Sequence, residues 1–319
     1  MWFILSLACI LFWGSADLFY KKGTDENDRY SHLKIAVWVG LAMGVFALVL
    51  MPFSETKFSL PALISNAVKY SPASLCYIIS MVIGYAGLRY LEVSIVSPVQ
   101  NASGAFSAVA IFVFFSARGH IGSFTEEFSL LDIVGTTIIV LGVIALGIVE
   151  QRLSSAESGL AKEDRKYRFG ALALLFPILY CVFDTIGTSA DGIILDEKTG
   201  LGLGEIDVLI LYGLTFLLAG IIAWAFMLIK TRKAYNPFAK SEAPKCIAAL
   251  CEEGGQVFYV YAMASKPILA APMVASYCIV SAILARIFIK EKLKAAQYAC
   301  VAAVIIGIVM LGISEGLAE

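Results

Sequence analysis

Four carboxylates of this 319-residue chain fall inside apolar stretches: Asp17, Asp184, Glu252 and Glu253. A charge at the centre of a membrane helix costs about 2.5–3.5 kcal/mol on insertion scales, so such a group must face protein or water. Trp13 precedes Asp17 by four residues, and Tyr180 precedes Asp184 by four. That spacing sets an aromatic ring one helical turn from each acid. Glu252, Gln256 and Tyr259 recur at i, i+4 and i+7 and share one helix face. Acids beside aromatic rings suit a cationic or zwitterionic amine, through charge pairing and cation–π contact. An acid that holds either a proton or the substrate couples the two by competition. Asp184 and Glu252 lie deeper in their stretches than Asp17 and Glu253, for which a place at the membrane interface is an equal alternative.

Two prolines stand within apolar runs and carry polar residues behind them: Pro98 with Gln100 and Asn101, and Pro272 with Ser276 and Tyr277. An interior proline interrupts the helical ladder. Carbonyls freed at membrane depth are tolerated where they line a cavity or find partners. These two positions are therefore expected helix breaks beside a binding site, to which Tyr85 is added. The competing reading is a simple kink, with the amides joining helices together. Other chemistries are missing. There is no GxxxxGK[ST] phosphate loop, HExxH, GxSxG or calcium-loop pattern. The seven cysteines show no CxxC or Cys/His metal spacing. No cofactor, no metal and no catalytic group is expected, and a membrane enzyme is disfavoured because the carboxylates come without a nucleophile.

The elements that hold these residues follow from composition. Sixty percent of residues are hydrophobic, 15% are charged and mean hydropathy is +0.84, against about 25% charged in soluble domains. A net charge of −1 gives no surface for nucleic acid. About 20 apolar residues cross a bilayer core. Ten stretches qualify, near 2–20, 33–53, 72–88, 93–115, 130–148, 170–195, 206–229, 246–264, 268–289 and 295–313. Residues 58–70 read as a short interfacial helix, and His32 and His120 fall in expected loops. The first stretch has no basic residues before it and reads as a retained helix rather than a signal peptide. The fold class is an all-α membrane protein of about ten transmembrane helices, in contact with the lipid bilayer.

The two halves repeat. Residues 141–148 (LGVIALGI) match 306–313 (IGIVMLGI), Pro98/Ser107 match Pro272/Ser281, Trp13/Asp17 match Tyr180/Asp184, and Tyr85-Ala86 match Tyr261-Ala262. Five helices per unit is an odd number, so the second copy must enter the membrane inverted. Inverted repeats around a midplane site are a transporter signature. The organisation expected is a first repeat over 1–150, a charged cytoplasmic linker over 151–168 and a second repeat over 169–319, around a central cavity. On Phe12-Trp13-Gly14-Ser15 and on residues 287–293 (IFIKEKL) running into Gln297 and the Gly307/Gly312 helix, the chain resembles the EamA-like branch of the drug/metabolite transporter superfamily. The resemblance implies a ten-helix basket with a cavity lined by helices one, three, four, six, eight and nine, and with five and ten peripheral. It implies secondary transport of a small metabolite in a cell membrane such as a bacterial inner membrane. Proton-coupled export is the expected cycle. A carrier of lipid-linked groups, or a sugar or nucleobase transporter of the same fold, is the alternative. The chain departs from the family's usual form in a more basic loop after helix nine and in lacking a second, deeper proline in helices four and nine.

Orientation follows from the basic residues. With the N-terminus outside, 19 of the 24 lysines and arginines fall in inward loops. Both termini are then outside and the 151–168 linker is inside. A topology reporter fused after Glu319 is expected to be active only in the extracytoplasmic form; activity of a cytoplasm-specific reporter there overturns the assignment.

Overall fold

A computed structural model describes residues 1–25, 27–54, 59–91, 93–121, 128–158, 173, 175–196, 203–289 and 293–318. Among these residues the chain is all-α. The spans are α1 (Trp2–Gly23), α2 (Ser31–Leu50, continued by a 3₁₀ turn at Met51–Phe53), α3 (Leu60–Gly87), α4 (Val93–Asn101) with α5 (Ser103–Ala117), and α6 (Leu130–Ser158). They continue as α7 (Leu175–Ile194), α8 (Glu205–Thr231), α9 (Ala243–Ser265), α10 (Pro267–Ala275) with α11 (Tyr277–Leu284), and α12 (Ala295–Ala318). A π-helical turn, Ala285–Ile289, ends the ninth span. Eight spans are long and apolar enough to cross a membrane. The remaining two, α7 and α9, have 20 and 23 residues and carry the buried acids that lower their hydropathy. The protein is a multi-pass membrane protein.

Three boundaries differ from the sequence expectation. Residues 60–70 are not a separate interfacial helix but the first three turns of α3, which runs through Pro72 without a break. Ser59 caps that start, its hydroxyl accepting from the Ala62 N–H, and Pro61 sits in the first turn where its missing N–H costs nothing. Helix α6 continues eight residues into the expected linker, to Ser158; residues 159–168 lie outside the described residues. His32 is not in a loop but in the first turn of α2.

The bundle holds polar side chains within its apolar core and is apolar without. Ser6, Ser80, Ser107, Gln256, Ser276 and Ser281 are buried, whereas Val49, Leu141, Ile222, Ile306 and Val309 are exposed. In water so much exposed apolar surface would mark an interaction site, and with these span lengths the partner is lipid. The strongest packing joins elements from the two ends of the chain: α1 with α9, α2 with α8, α3 with α7, and α6 with α12. Helices α3 and α7 run antiparallel, since Gly84 faces the Tyr180 ring while Gly187 faces the Tyr77 ring. The same holds for α1 and α9, where Gly23 faces Lys245 and Phe12 lies against Phe258.

Without a hydrophobic drive between helices in lipid, close approach of backbones supplies much of the packing. Helices α6 and α12 meet at Gly135 and Gly307, where a Cβ on Gly307 would lie 2.7 Å from the Gly135 carbonyl oxygen. The glycines of these spans therefore serve packing. A Gly307→Leu substitution is expected to destabilise the folded protein by about 1–3 kcal/mol. Gly316→Ala in the same helix, where nothing lies within 4 Å of the added carbon, is expected to be neutral or slightly stabilising. Thermal unfolding of the detergent-solubilised variants checks both.

Candidate functional site

Two interrupted spans shape the centre. The breaks lie not at Pro98 and Pro272 themselves but four residues on, at Ala102 and Ser276. There the chain tightens to i,i+3 bonds, from Ala105 N–H to the Ala102 carbonyl and from Ser276 N–H to the Met273 carbonyl. Side chains answer the neighbouring carbonyls: Asn101 Nδ2 donates to the Ser97 oxygen at 2.7 Å, and Ser276 Oγ to the Met273 oxygen at 2.6 Å. Ser276 is thus wholly occupied within its own helix and, against expectation, does not line the cavity.

Between the spans lies a cavity of about 850 Å³, its mouth included. It gathers Trp13, Asp17, Tyr85, Gln100, Asn101, Tyr180, Asp184, Glu252, Gln256, Tyr259 and Tyr277, which are eleven of the twelve expected binding positions. Glu253 is buried but outside the lining. Asp17 and Asp184 are half-buried and present carboxyl groups held by serines from the broken spans. Asp17 Oδ2 accepts from Ser97 Oγ before the first break and from Ser281 Oγ beyond the second, both at 2.7 Å. Asp184 Oδ2 accepts from Ser103 Oγ at 2.6 Å. Glu252 sits deeper; Tyr20 donates to its Oε2 at 3.4 Å, and Tyr85 donates to Tyr20 at 3.3 Å.

An aromatic wall completes the site. Trp13 lies over the backbone of α9, its indole N–H donating to the Glu252 carbonyl at 3.1 Å. Only a glycine at 255 permits this, since a side-chain carbon there would collide with the indole. The Trp13 ring lies tilted against Tyr259 at 5.1 Å and meets Tyr277 edge-on at 5.7 Å. Two amide donors of lining residues have no acceptor among the described residues, Gln100 Nε2 and Gln256 Nε2. Buried amides are normally paired, so these are the groups that an incoming acceptor would satisfy. Among the described residues no lysine, arginine or histidine lines the cavity.

The chain matches no family model and no curated protein. The solved structures to which it is similar include a protein crystal structure with a TM-score of 0.60, over 96% of this chain and 95% of the other, at 13% identity. That likeness is one of fold alone.

Several groups escaped the sequence reading. Tyr20, Tyr77, Tyr212 and Thr188 also line the cavity, Tyr212 from the seventh span. Tyrosines are common at membrane interfaces, and their spacing alone does not separate a lining ring from a belt residue. Asp191 was missed as well. It lies seven residues beyond Asp184, close to the end of its stretch, where an interfacial place looks natural, yet its exposure is 0%. The i, i+4, i+7 series Asp184, Thr188, Asp191 was the available signal.

Interhelical hydrogen bonds in membranes contribute about 0.6 kcal/mol on average and up to about 1.7 kcal/mol. Ser281→Ala is expected to cost that much, and the cost should vanish in an Asp17→Ala background, which has no acceptor, if the bond to Asp17 is its source. A double-mutant cycle on thermal stability reads the coupling.

Proposed function

We propose that the protein is a secondary transporter of the EamA-like, drug/metabolite class, carrying a small cationic or zwitterionic amine by alternating access in exchange for protons. One observation carries this reading: among the described residues the cavity offers three carboxyl groups, two unpartnered amide donors and no cationic side chain. Buried carboxylates are stable only when paired or protonated. Either protons or a substrate's ammonium group must therefore balance Asp17, Asp184 and Glu252. The unpartnered amides of Gln100 and Gln256 suit the carboxylate of an amino acid, and the faces of Trp13, Tyr85 and Tyr180 suit its ammonium group or apolar body. Export driven by a proton gradient follows if substrate and proton occupy the same acids in turn.

The pairing of spans supports two inverted repeats. Exchanging each span for the one five places later preserves the four strongest pairings: the first span's pairing with the eighth becomes the sixth's with the third, and the second–seventh and fifth–tenth pairs map onto themselves. On this reading each half contributes one serine-held aspartate to a shared site, Asp17 from the first and Asp184 from the second.

A thermal-shift screen of purified protein against amino acids, amines, sugars, nucleobases and lipid phosphates tests the substrate class. A ligand at 100 times its Kd stabilises by about 2.7 kcal/mol. Amines or amino acids are expected to do so, with affinity falling as pH falls because protons compete for the same carboxylates. Stabilisation by sugars or lipid phosphates alone overturns the proposal. In proteoliposomes, Asp184→Asn or Glu252→Gln should abolish proton-driven transport while expression and folding persist. Tyr180→Phe, which keeps the ring, should weaken binding less than Tyr180→Ala. Normal uphill transport by both carboxamide variants removes these acids from the coupling step.

A further inference from the structure

Behind one end of the cavity lies a carboxyl group that the transport site does not use. The Tyr77 and Tyr259 hydroxyls are 2.7 Å apart, and Tyr77 donates to Thr188 Oγ1 at 3.2 Å. These three residues line the cavity and come from α3, α9 and α7, so the triad ties three helices together across its end. Asp191 sits beyond the tie, about 10 Å along α7 from Asp184 at 1.5 Å per residue. It has no exposure, and among the described residues neither of its carboxyl oxygens makes a well-formed hydrogen bond. The hydroxyls of Tyr70, Tyr77 and Tyr259 are its polar neighbours, and the Tyr70 hydroxyl, also buried, has no partner of its own.

We infer that Asp191 is a proton-binding site that controls this tie: protonated, it leaves the Tyr77–Tyr259–Thr188 triad intact, and ionised, it draws the triad's hydroxyl groups away as hydrogen-bond donors to itself and opens this end of the cavity. The count of protons carries the argument. Tyr77 and Tyr259 each have one hydroxyl proton. If Tyr77 donates to Thr188, Tyr259 must donate to Tyr77, and both are spent. A carboxylate at Asp191, buried and without a cation, needs several donors to be stable. Tyr70 can supply one. The others can come only from Tyr77 and Tyr259, whose mutual bond and bond to Thr188 are then lost. On reprotonation the carboxyl no longer needs these donors and the triad re-forms. The proton itself passes to water at the opened face, which is the outer one under the orientation expected from the basic residues.

The groups facing Asp191 agree with a proton as the ligand. Tyr70 and Tyr77 face it from α3 and Tyr259 from α9, with Asp184 on its own helix; Tyr212 of α8 is farther off, its hydroxyl donating to Met81 Sδ. Helices α4, α5 and α10, which also pack on α7, contain no titratable residue. One carboxyl and three hydroxyls fall short of the six to eight oxygens that a calcium ion takes. The inference rests on the transport reading for its purpose, but its test needs no substrate, so either can fail alone.

The test uses the full chain in phosphatidylethanolamine/phosphatidylglycerol vesicles. Infrared titration should show a buried carboxylic-acid band that disappears as pH rises and is absent in Asp191→Asn. Hydrogen exchange, corrected for intrinsic rate, should show protection of residues 186–194 and 259–265 falling about tenfold over the same pH range. In Asp191→Asn the segment should stay protected throughout, and in Tyr77→Phe it should be open at both extremes. Protection that does not change with pH in the wild-type protein overturns the inference whether or not the variants fold. So does protection governed by sodium at constant pH, or loss of no carboxylic-acid band in Asp191→Asn.

Discussion

A carboxyl group inside a bundle of bilayer thickness must be answered by a hydrogen-bond donor, a cation, water or a proton. Much of this fold can be read as the set of answers. Asp17 and Asp184 are met by serine hydroxyls, Glu252 by a tyrosine. The serines lie one to five residues from the interruptions at Ala102 and Ser276. They come from spans that are broken next to the acids and whose own carbonyls are satisfied by Asn101 and Ser276. The two spans that fail a simple test of apolarity, α7 and α9, are those on which most of the acids ride.

The rest of the bundle supplies rigidity. Helices α6 and α12 meet glycine to glycine and give nothing to the cavity. Helices α2 and α8 pack in the same close manner, with Gly213 set against the Met43 carbonyl and Ala47. Such contacts need small residues rather than polar ones, so they persist whatever the protonation of the centre. The structure thus separates a scaffold held by backbone proximity from a centre held by hydrogen bonds. Only the second responds to charge.

Much of this was legible in the residues. Ten spans follow from runs of apolar side chains, and the matched spacing of Trp13/Asp17 and Tyr180/Asp184 brings both pairs to one cavity. Other features were hidden for physical reasons. The start of α3 contains Asn66, Lys69 and Ser71 and so does not look membrane-bound, but a capped helix needs no apolar run to continue. Proline marked the broken spans correctly, yet the interruption falls one turn later, where i,i+3 bonds replace the regular ladder. Asp191 and the tyrosines around it were obscured because closeness to a helix end in sequence is no measure of depth in a bundle. Tertiary packing from α3 and α9 is what buries them.

The interruptions at Ala102 and Ser276 also have a mechanical meaning. A span whose regular ladder is already interrupted can bend there at little cost, while the glycine-packed helices around it stay straight. Ser97 lies on one arm of the first joint and grips Asp17; Ser103 lies on the other and grips Asp184. The joint is a fulcrum with one acid hung from each arm. A tilt that slackens one grip need not disturb the other, so a single span can work as a balance beam between the two halves of the molecule.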